Sequence, residues 1–446
     1  MEILEIANKI KEKGGALYLV GGAVRDELLG RKVHDEDYCV QGLNKNEFEE
    51  LFPNAFKRGK FFGVYDIEQK EFALARKERK NGQGHKEFNI KTGKEITIED
   101  DLSRRDITIN SMAKEVLTGK IIDPYNGKQD LKNRIIRATT EAFKEDPLRV
   151  YRVARFASML NFEVDKQTLN MMNEQKEELK TLSQERVFNE FRKALETNKP
   201  SIFFEVLRKA DVLDVHFKEI YNLIGQAQPE KYHPEGDSYK HTMIVLDKSA
   251  ELTKDLSIRF SALVHDLGKG ITPKEMLPHH YGHDKNGIAL VEKFGRRLKI
   301  PNSWMKCGKV SAKEHMLGGI FNKMTPPKQV DFITRVSKSK LGLEGMKIVV
   351  LCDRWREEEI PKDIIFDEIG KECVNKINGE YIKQKYNIKE MKDIGDLLRK
   401  ERIEWIKKNV KRDWKWKKNN LKYKKQKRGK IWKNIKLKKK KQQYLH

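Results

Sequence analysis

The sequence predicts an α+β chain, with a mixed α/β head over roughly residues 1–140 and mostly helices after it. Three observations carry this. Up to about residue 140, short apolar runs such as YLV, DYCV and KIID are separated by Gly, Asn and Pro turns. From about 141, apolar residues recur at three- and four-residue spacing in RVYRVARFASML, ERVFNEFRKAL and FFEVLRKADVL. From about 238 a second helical stretch is rich in His and Asp, which separates it chemically from the first.

Length and charge narrow the classes further. At 446 residues, the chain is too long for one small core, and two to four domains are expected. A formal charge of +25 points to a polyanionic partner, nucleic acid ahead of a membrane. The charge is unevenly spread. Residues 411–446 hold 15 Lys and 2 Arg against one Asp, a net +16, so the main body is only moderately basic. That tail lacks periodicity and is expected to be disordered; its Trp414, Trp416, Tyr423 and Trp432 among lysines would also suit RNA contact. Cys39, Cys307, Cys352 and Cys373 show no metal-type spacing and read as reduced thiols. With no apolar signal segment and no apolar run near ~18 residues, a cytoplasmic protein without a membrane span is expected.

The chain is organised around Leu19 to Val40. It reads as a strand end, a Gly21-Gly22 turn, a short helix from Ala23 to Leu29, and a second strand opening with Asp35 and Asp37. Alternate strand residues point to one side, so the two carboxylates share a face. Glycines let backbone N–H groups approach phosphate, and Arg25 can clamp phosphate oxygens. Paired carboxylates opposite such a turn suit metal-assisted phosphoryl transfer. A bare Asp-x-Asp is also a common polar strand edge; the turn, the arginine and the pair within 17 residues favour the site.

Three more stretches follow. Glu71 lies in KEFALAR on the next plausible strand, either as a third carboxylate or as an exposed strand residue. Arg104-Arg105-Asp106 precedes a strand-like Ile107-Thr108-Ile109 and Asn110. Glu145-Asp146-Pro147 opens a helix carrying Arg149, Arg152 and Arg155, with proline where a first turn tolerates it. Asp146 and Arg149 then face one way. A carboxylate plus a guanidinium offer an acceptor and donors that can imitate a Watson–Crick edge, although an acidic cap on a basic helix gives the same pattern.

Together GGAVRDELLGRKVHDED, DDLSRRDITINSMA and EDPLRVYRVARFA resemble the class II tRNA nucleotidyltransferases and the related bacterial poly(A) polymerases, over roughly residues 15–355. The resemblance implies a polymerase beta-like nucleotidyltransferase head in which Asp35 and Asp37 hold two Mg²⁺, with Glu71 as candidate third catalytic carboxylate. It implies nucleotide contacts by Gly22, Arg25, Arg105, Arg152 and Arg155, and selection of cytosine and adenine by Asp146 and Arg149. Glu185 and Arg186 in SQERVFNEFRKAL would support the base-reading helix. Asn110 and the Asp123–Gly127 turn read as structural, and a specificity loop is expected within Lys77 to Thr97.

The His/Asp-rich stretch carries a second site. His241, then His265-Asp266 two dozen residues on, then a distant Asp353 can bring imidazole and carboxylate ligands from several helices to one divalent metal. The pattern resembles the HD phosphohydrolase domain, with those four as ligands and Lys269 near the phosphate; His280 and His283 are candidates for a substrate contact or a second metal. The run after Asp353, Arg354-Trp355-Arg356-Glu357, departs from the family's Asp-x-x-Gly.

The expected segments are a nucleotidyltransferase head (1–140), a helical neck for base selection and RNA binding (141–225), an HD phosphohydrolase domain (226–355), a helical C-terminal region (356–410) and the tail (411–446). The implied activity is template-independent addition or repair of the 3′-terminal CCA of tRNA from CTP and ATP. The fused HD region would add phosphatase, 2′-nucleotidase or 2′,3′-cyclic phosphodiesterase activity, with Mg²⁺ at the head and a divalent transition metal such as Ni²⁺ at the HD site. The rivals are a poly(A) polymerase with the same head and an HD phosphohydrolase whose head only grips RNA. A monomer or homodimer is expected.

Overall fold

The computed structural model describes residues 2–33, 35–58, 64–80, 88–354, 363–387 and 394–410. The centre of the expected specificity loop (81–87), residues 355–362 after Arg354, residues 388–393 and the basic tail (411–446) lie outside the described residues.

The head holds a seven-stranded sheet, ordered β3-β4-β5-β2-β1-β8-β9. Its strands are β1 (Ala16–Val20), β2 (Asp37–Gln41), β3 (Phe56–Arg58), β4 (Val64–Ile67), β5 (Lys70–Leu74), β8 (Ala113–Glu115) and β9 (Ile121–Ile122). β6 (Arg76–Lys80) and β7 (Phe88–Thr92) form a separate antiparallel hairpin. Within the sheet β2 and β5 run parallel; the other neighbours are antiparallel.

β2 is central because its side chains are apolar on both faces. Tyr38, Cys39 and Val40 are all buried. Tyr38 and Val40 face a cluster with Ile6, Ile10, Phe48 and Phe72, and Cys39 faces another with Tyr18, Val20, Ile98 and Leu102. Tyr38 stacks on Phe72 at 5.1 Å.

Two expectations about local structure need correcting. β2 begins at Asp37, not Asp35, because β1 ends at Val20 opposite Asp37 and the chain leaves at Gly21 with φ +71°. Asp35 therefore lies in the connection ahead of the strand. Ile107-Thr108-Ile109 is no strand either: Thr108–Asn110 forms a 3₁₀ turn. Local polar side chains close it. Asp106 Oδ1 accepts from the Ile107 N–H at 3.0 Å, and the Ser111 hydroxyl donates to the Ile107 carbonyl at 2.9 Å.

The remainder is helical, apart from short two-residue strands. One apolar cluster runs from Ile107 through Tyr151, Phe191, Phe203 and Phe217 to Phe294 and Ala312, so the end of the head, the neck and the His-rich region share packing. A second joins Phe321, Phe332, Met346 and Phe366 with Ile406. Asp237 and Asp255 cap the helices Ser238–Leu252 and Leu256–Val264, accepting from Lys240 and Ser257 N–H at 2.8 Å each. Among the described residues no helix is long and apolar enough to cross a membrane.

Candidate functional site

The parallel pairing of β2 and β5 sets Asp37 directly beside Glu71. Asp35, Asp37 and Glu71 line one cleft of about 670 Å³, together with Glu36, Arg58 and Lys70. Lys70 pairs with Glu36, and Arg58 approaches Glu71 at 3.8 Å while pairing with Asp66. Asp37 keeps some solvent contact, yet the surrounding protein raises its carboxyl pKa above the usual value; the Asp35 charge adds to this and Arg105 opposes it. Three carboxylates converging on one cleft form an all-oxygen set, which suits a hard cation such as Mg²⁺.

The glycine turn makes room for guanidinium groups. A Cβ at Gly21 would meet Arg105 Nη1 at 3.0 Å, and one at Gly22 would meet Arg25 Nη2 at 3.3 Å. Arg25 is buried, holds Asp26 through two bonds of 2.9 Å, and donates to Asn110 Oδ1 at 2.7 Å. That uses three of its five N–H donors. Asn110 in turn reaches Asp106 at 3.4 Å, and Arg152 Nε donates to the other Asp106 oxygen at 2.7 Å. Burial alone would raise Asp106, but Arg152 and Arg149 hold it below the usual range. Arg25, Arg152 and Arg155 all lie over the Phe156 ring, Arg155 closest at 4.0 Å. Asn110, read as a structural residue, thus links the glycine turn to the neck helix Leu148–Leu160.

The expected base-reading pair sits where head meets neck. Asp146 Oδ1 accepts from Leu148 N–H at 2.9 Å, and its Oδ2 faces Arg186 at 3.3 Å. Arg149 donates to the carbonyls of Ala142 and Arg104, each at 2.6 Å, which ties the neck helix to the Arg104-Arg105 segment. Arg155 Nε donates to Glu190 at 2.5 Å. Glu185 instead pairs with exposed Lys299.

The second centre gathers residues from five helical segments. Asp353 Oδ1 lies 3.0 Å from His241 Nε2 and 3.8 Å from His265 Nε2. Asp266 divides its oxygens: Oδ2 is 3.2 Å from His265 Nε2, and Oδ1 is 3.4 Å from both His283 Nε2 and His315 Nε2. Each imidazole is aimed by its other nitrogen. Nδ1 of His265, His283 and His315 bonds the carbonyls of Ala262, His280 and Ser311 at 2.7, 2.7 and 3.0 Å, while His241 Nδ1 bonds Glu235 at 2.5 Å. Asp266 Oδ1 and the Nε2 atoms of His265 and His283 are buried without a hydrogen-bond partner, while Asp266 Oδ2 is ion-paired with Lys269. Buried orphans of this kind are costly unless a cation takes them. Four imidazoles and two carboxylates suit a divalent transition metal. Burial lowers the His283 pKa, which keeps that ring neutral and able to ligate. Lys269 lies 2.6 Å from Asp266 Oδ2 and donates to Gln228 at 2.6 Å. His280 bonds Thr272 and the Ala227 carbonyl instead and does not join the cluster.

Sequence reasoning missed His315 and Glu235. His315 stands alone on the helix Asn302–Gly319 between buried small residues, a pattern shared with any core histidine. Glu235 carried a usable signal, since it sits six residues before His241 in a turn rich in Pro and Gly.

Three family models match in chain order: "Poly A polymerase head domain" over residues 17–137, "Probable RNA and SrmB- binding site of polymerase A" over 161–223, and "HD domain" over 238–327. The chain is 44% identical over 307 residues to the Multifunctional CCA protein of Shewanella denitrificans, covering 67% of this chain and 73% of that one. Among solved structures, a CCA-adding enzyme in an apo form matches with TM-score 0.63 at 20% identity, covering 94% of both chains. The Thermotoga maritima CCA-adding enzyme complexed with tRNA matches with TM-score 0.61 at 19% identity and the same coverage. These two establish likeness of fold. The order of the three matched segments and the identity shared with the Shewanella protein over most of its length show that the chain belongs to the multifunctional CCA protein family.

Proposed function

We propose that this chain is a template-independent tRNA nucleotidyltransferase that builds or repairs the 3′-terminal CCA from CTP and ATP, with a fused HD phosphohydrolase. The observation that carries the reading is the meeting of Asp35, Asp37 and Glu71 in one cleft, downstream of a glycine turn packed on Arg25 and Arg105. Those three carboxylates would hold Mg²⁺. When bound, the ions supply activation of the RNA 3′-hydroxyl and stabilisation of the leaving pyrophosphate. Arg25 keeps two N–H donors for phosphate oxygens, and the turn lets the triphosphate approach the backbone. Asp146 and Arg149 select the base, with Arg186 steadying Asp146. Arg152 and Arg155 complete the positive wall on the neck helix.

In the HD region, His241, His265, Asp266 and Asp353 would hold the main cation, and Asp266 Oδ1 with His283 and His315 offers a second set of donors. Ni²⁺ is the metal we favour, since imidazole-rich sets bind it well. The substrates would be phosphate esters of RNA ends or nucleotides, and the cation, when bound, would supply acidification of a water for their hydrolysis. A cytoplasmic location belongs to the same proposal, supported by the four buried free cysteines and the proposed tRNA substrate.

Incubation with tRNA ending at the discriminator base tests the reading. CTP alone should extend it by two C, and CTP with ATP by C, C and A before stopping. A long A tract would make the chain a poly(A) polymerase. No incorporation, with phosphate-ester hydrolysis intact, would leave only the HD activity.

A further inference from the structure

The helix Asn302–Gly319 has two working faces. One brings His315 to the cation centre. The other, with the helix Pro326–Ser337 and the turn after it, forms a groove of about 540 Å³ lined by Lys306, Lys309, Lys313, Arg335, Lys338 and Lys340, with Glu314 as the sole lining carboxylate. Lys306, Lys309 and Lys313 fall on one stripe about 10 Å long.

The groove's charges are of two kinds. Lys309 pairs with Glu292 at 3.1 Å, and Arg335 grips the buried Glu314 through bonds of 2.7 and 2.9 Å. Lys306, Lys313, Lys338 and Lys340 are exposed and have no acidic partner among the described residues. Exposed lysines without an acidic partner among the described residues also occur singly on other helices, as at Lys193, Lys209 and Lys218; here four share one concavity. Four unpaired lysines in one concavity repel each other until a polyanion neutralises them. A neighbouring trough lined by Glu292, Arg296, Asn302 and Met305 shares Lys306 and Lys309; Glu292 pairs with Arg296 and Lys309 there.

The lining also says which polyanion fits. Among the described residues it contains no aromatic ring on which an unpaired base could stack, and its unpaired cations are all lysines, which meet phosphate as point charges. Such a surface holds backbone and reads no bases. We propose that the groove binds the phosphate backbone of a double-helical RNA stem; that the stem belongs to tRNA rests on the function proposed above. The bound stem lies against the outer face of the helix that gives His315 to the cation centre.

The test uses the full-length chain and a variant with Lys306, Lys313, Lys338 and Lys340 all changed to Gln. Binding of tRNA and of an unrelated RNA hairpin is titrated across a KCl series. Four lost phosphate contacts should flatten the slope of log affinity against log salt by about 3. A Lys→Arg version of the same four positions should keep the wild-type slope. Lysine acylation footprinting of the wild type supplies a second readout without substitution, and the four lysines should lose reactivity when RNA is bound. Equal slopes with unchanged reactivity overturn the groove while leaving the proposed function standing. Protection by inorganic phosphate alone, without a change in RNA slope, makes it a small-anion site and also overturns it. A flattened slope in a chain that incorporates no CTP supports the groove and sinks the proposed function.

Discussion

Asp37 and Glu71 become neighbours through strand pairing, although 34 residues separate them in sequence. If Glu71 shares the cations of Asp35 and Asp37, Glu71→Gln should lower CTP incorporation by roughly 10- to 100-fold, the range seen when a metal's surroundings are disturbed. Glu71→Gln with wild-type kinetics would make it the exposed strand residue that the sequence also allowed. His315 presents the converse case. His315→Gln should weaken divalent-metal binding by a similar factor in calorimetric titration, with CTP incorporation unchanged. The sequence made Asp35, Asp37 and His265-Asp266 visible because each pair is local. His315 was hidden because it joins the cluster only when separate segments pack together, whereas Glu235, six residues before His241, carried a local signal.

Elements carry the next constraints. Gly268 lets the turn after His265-Asp266 pass under the start of the helix His283–Arg297; a Cβ there would lie 1.9 Å from the His283 carbonyl. Gly268→Ala should therefore displace His283 and abolish phosphate-ester hydrolysis, while nucleotide addition persists. Equal hydrolysis by the variant would show that the approach is not needed. In the neck, the Tyr151 hydroxyl lies 2.6 Å from His216 Nδ1, and burial, helped by the Arg297 charge, pushes that imidazole down to about 4. The unfolded chain takes up this proton near pH 6.5, so the folded state keeps its full advantage above that pH. Stability should fall as pH drops from about 6.5 to about 4, by roughly 3 kcal/mol in all. Thermal melts at pH 7 and 4.5 should show the loss, and His216→Phe should show less of it; an unchanged pH dependence would assign the loss to other groups. Periodicity marked these helices well, since apolar spacing decides their buried faces. It failed for Ile107-Thr108-Ile109, where alternation imitated a strand and polar anchors from Asp106 and Ser111 closed a turn instead.

For the whole molecule, the organising stretch Leu19–Val40 is tied to the neck by the chain Arg25, Asn110, Asp106 and Arg152, and the two would supply the halves of the proposed site. That link was not legible in sequence, because Asn110 looked like a turn residue and Asp106 like part of a charge run. The continuous packing from Ile107 to Ala312 was equally hidden, since composition marks a boundary near Pro229 and Pro234 while apolar contact crosses it. The head cleft and the HD centre use different residues and different donor chemistry, so each activity should survive loss of the other. The most direct measurement is single-nucleotide incorporation on tRNA lacking CCA, comparing the wild-type chain with the double variant Asp35→Ala and Asp37→Ala, with phosphate-ester hydrolysis as the check of folding. The wild type should add C, C and A in order and stop, and the variant should add nothing while hydrolysing as before. Incorporation of CTP and ATP that survives the double change would contradict the assignment.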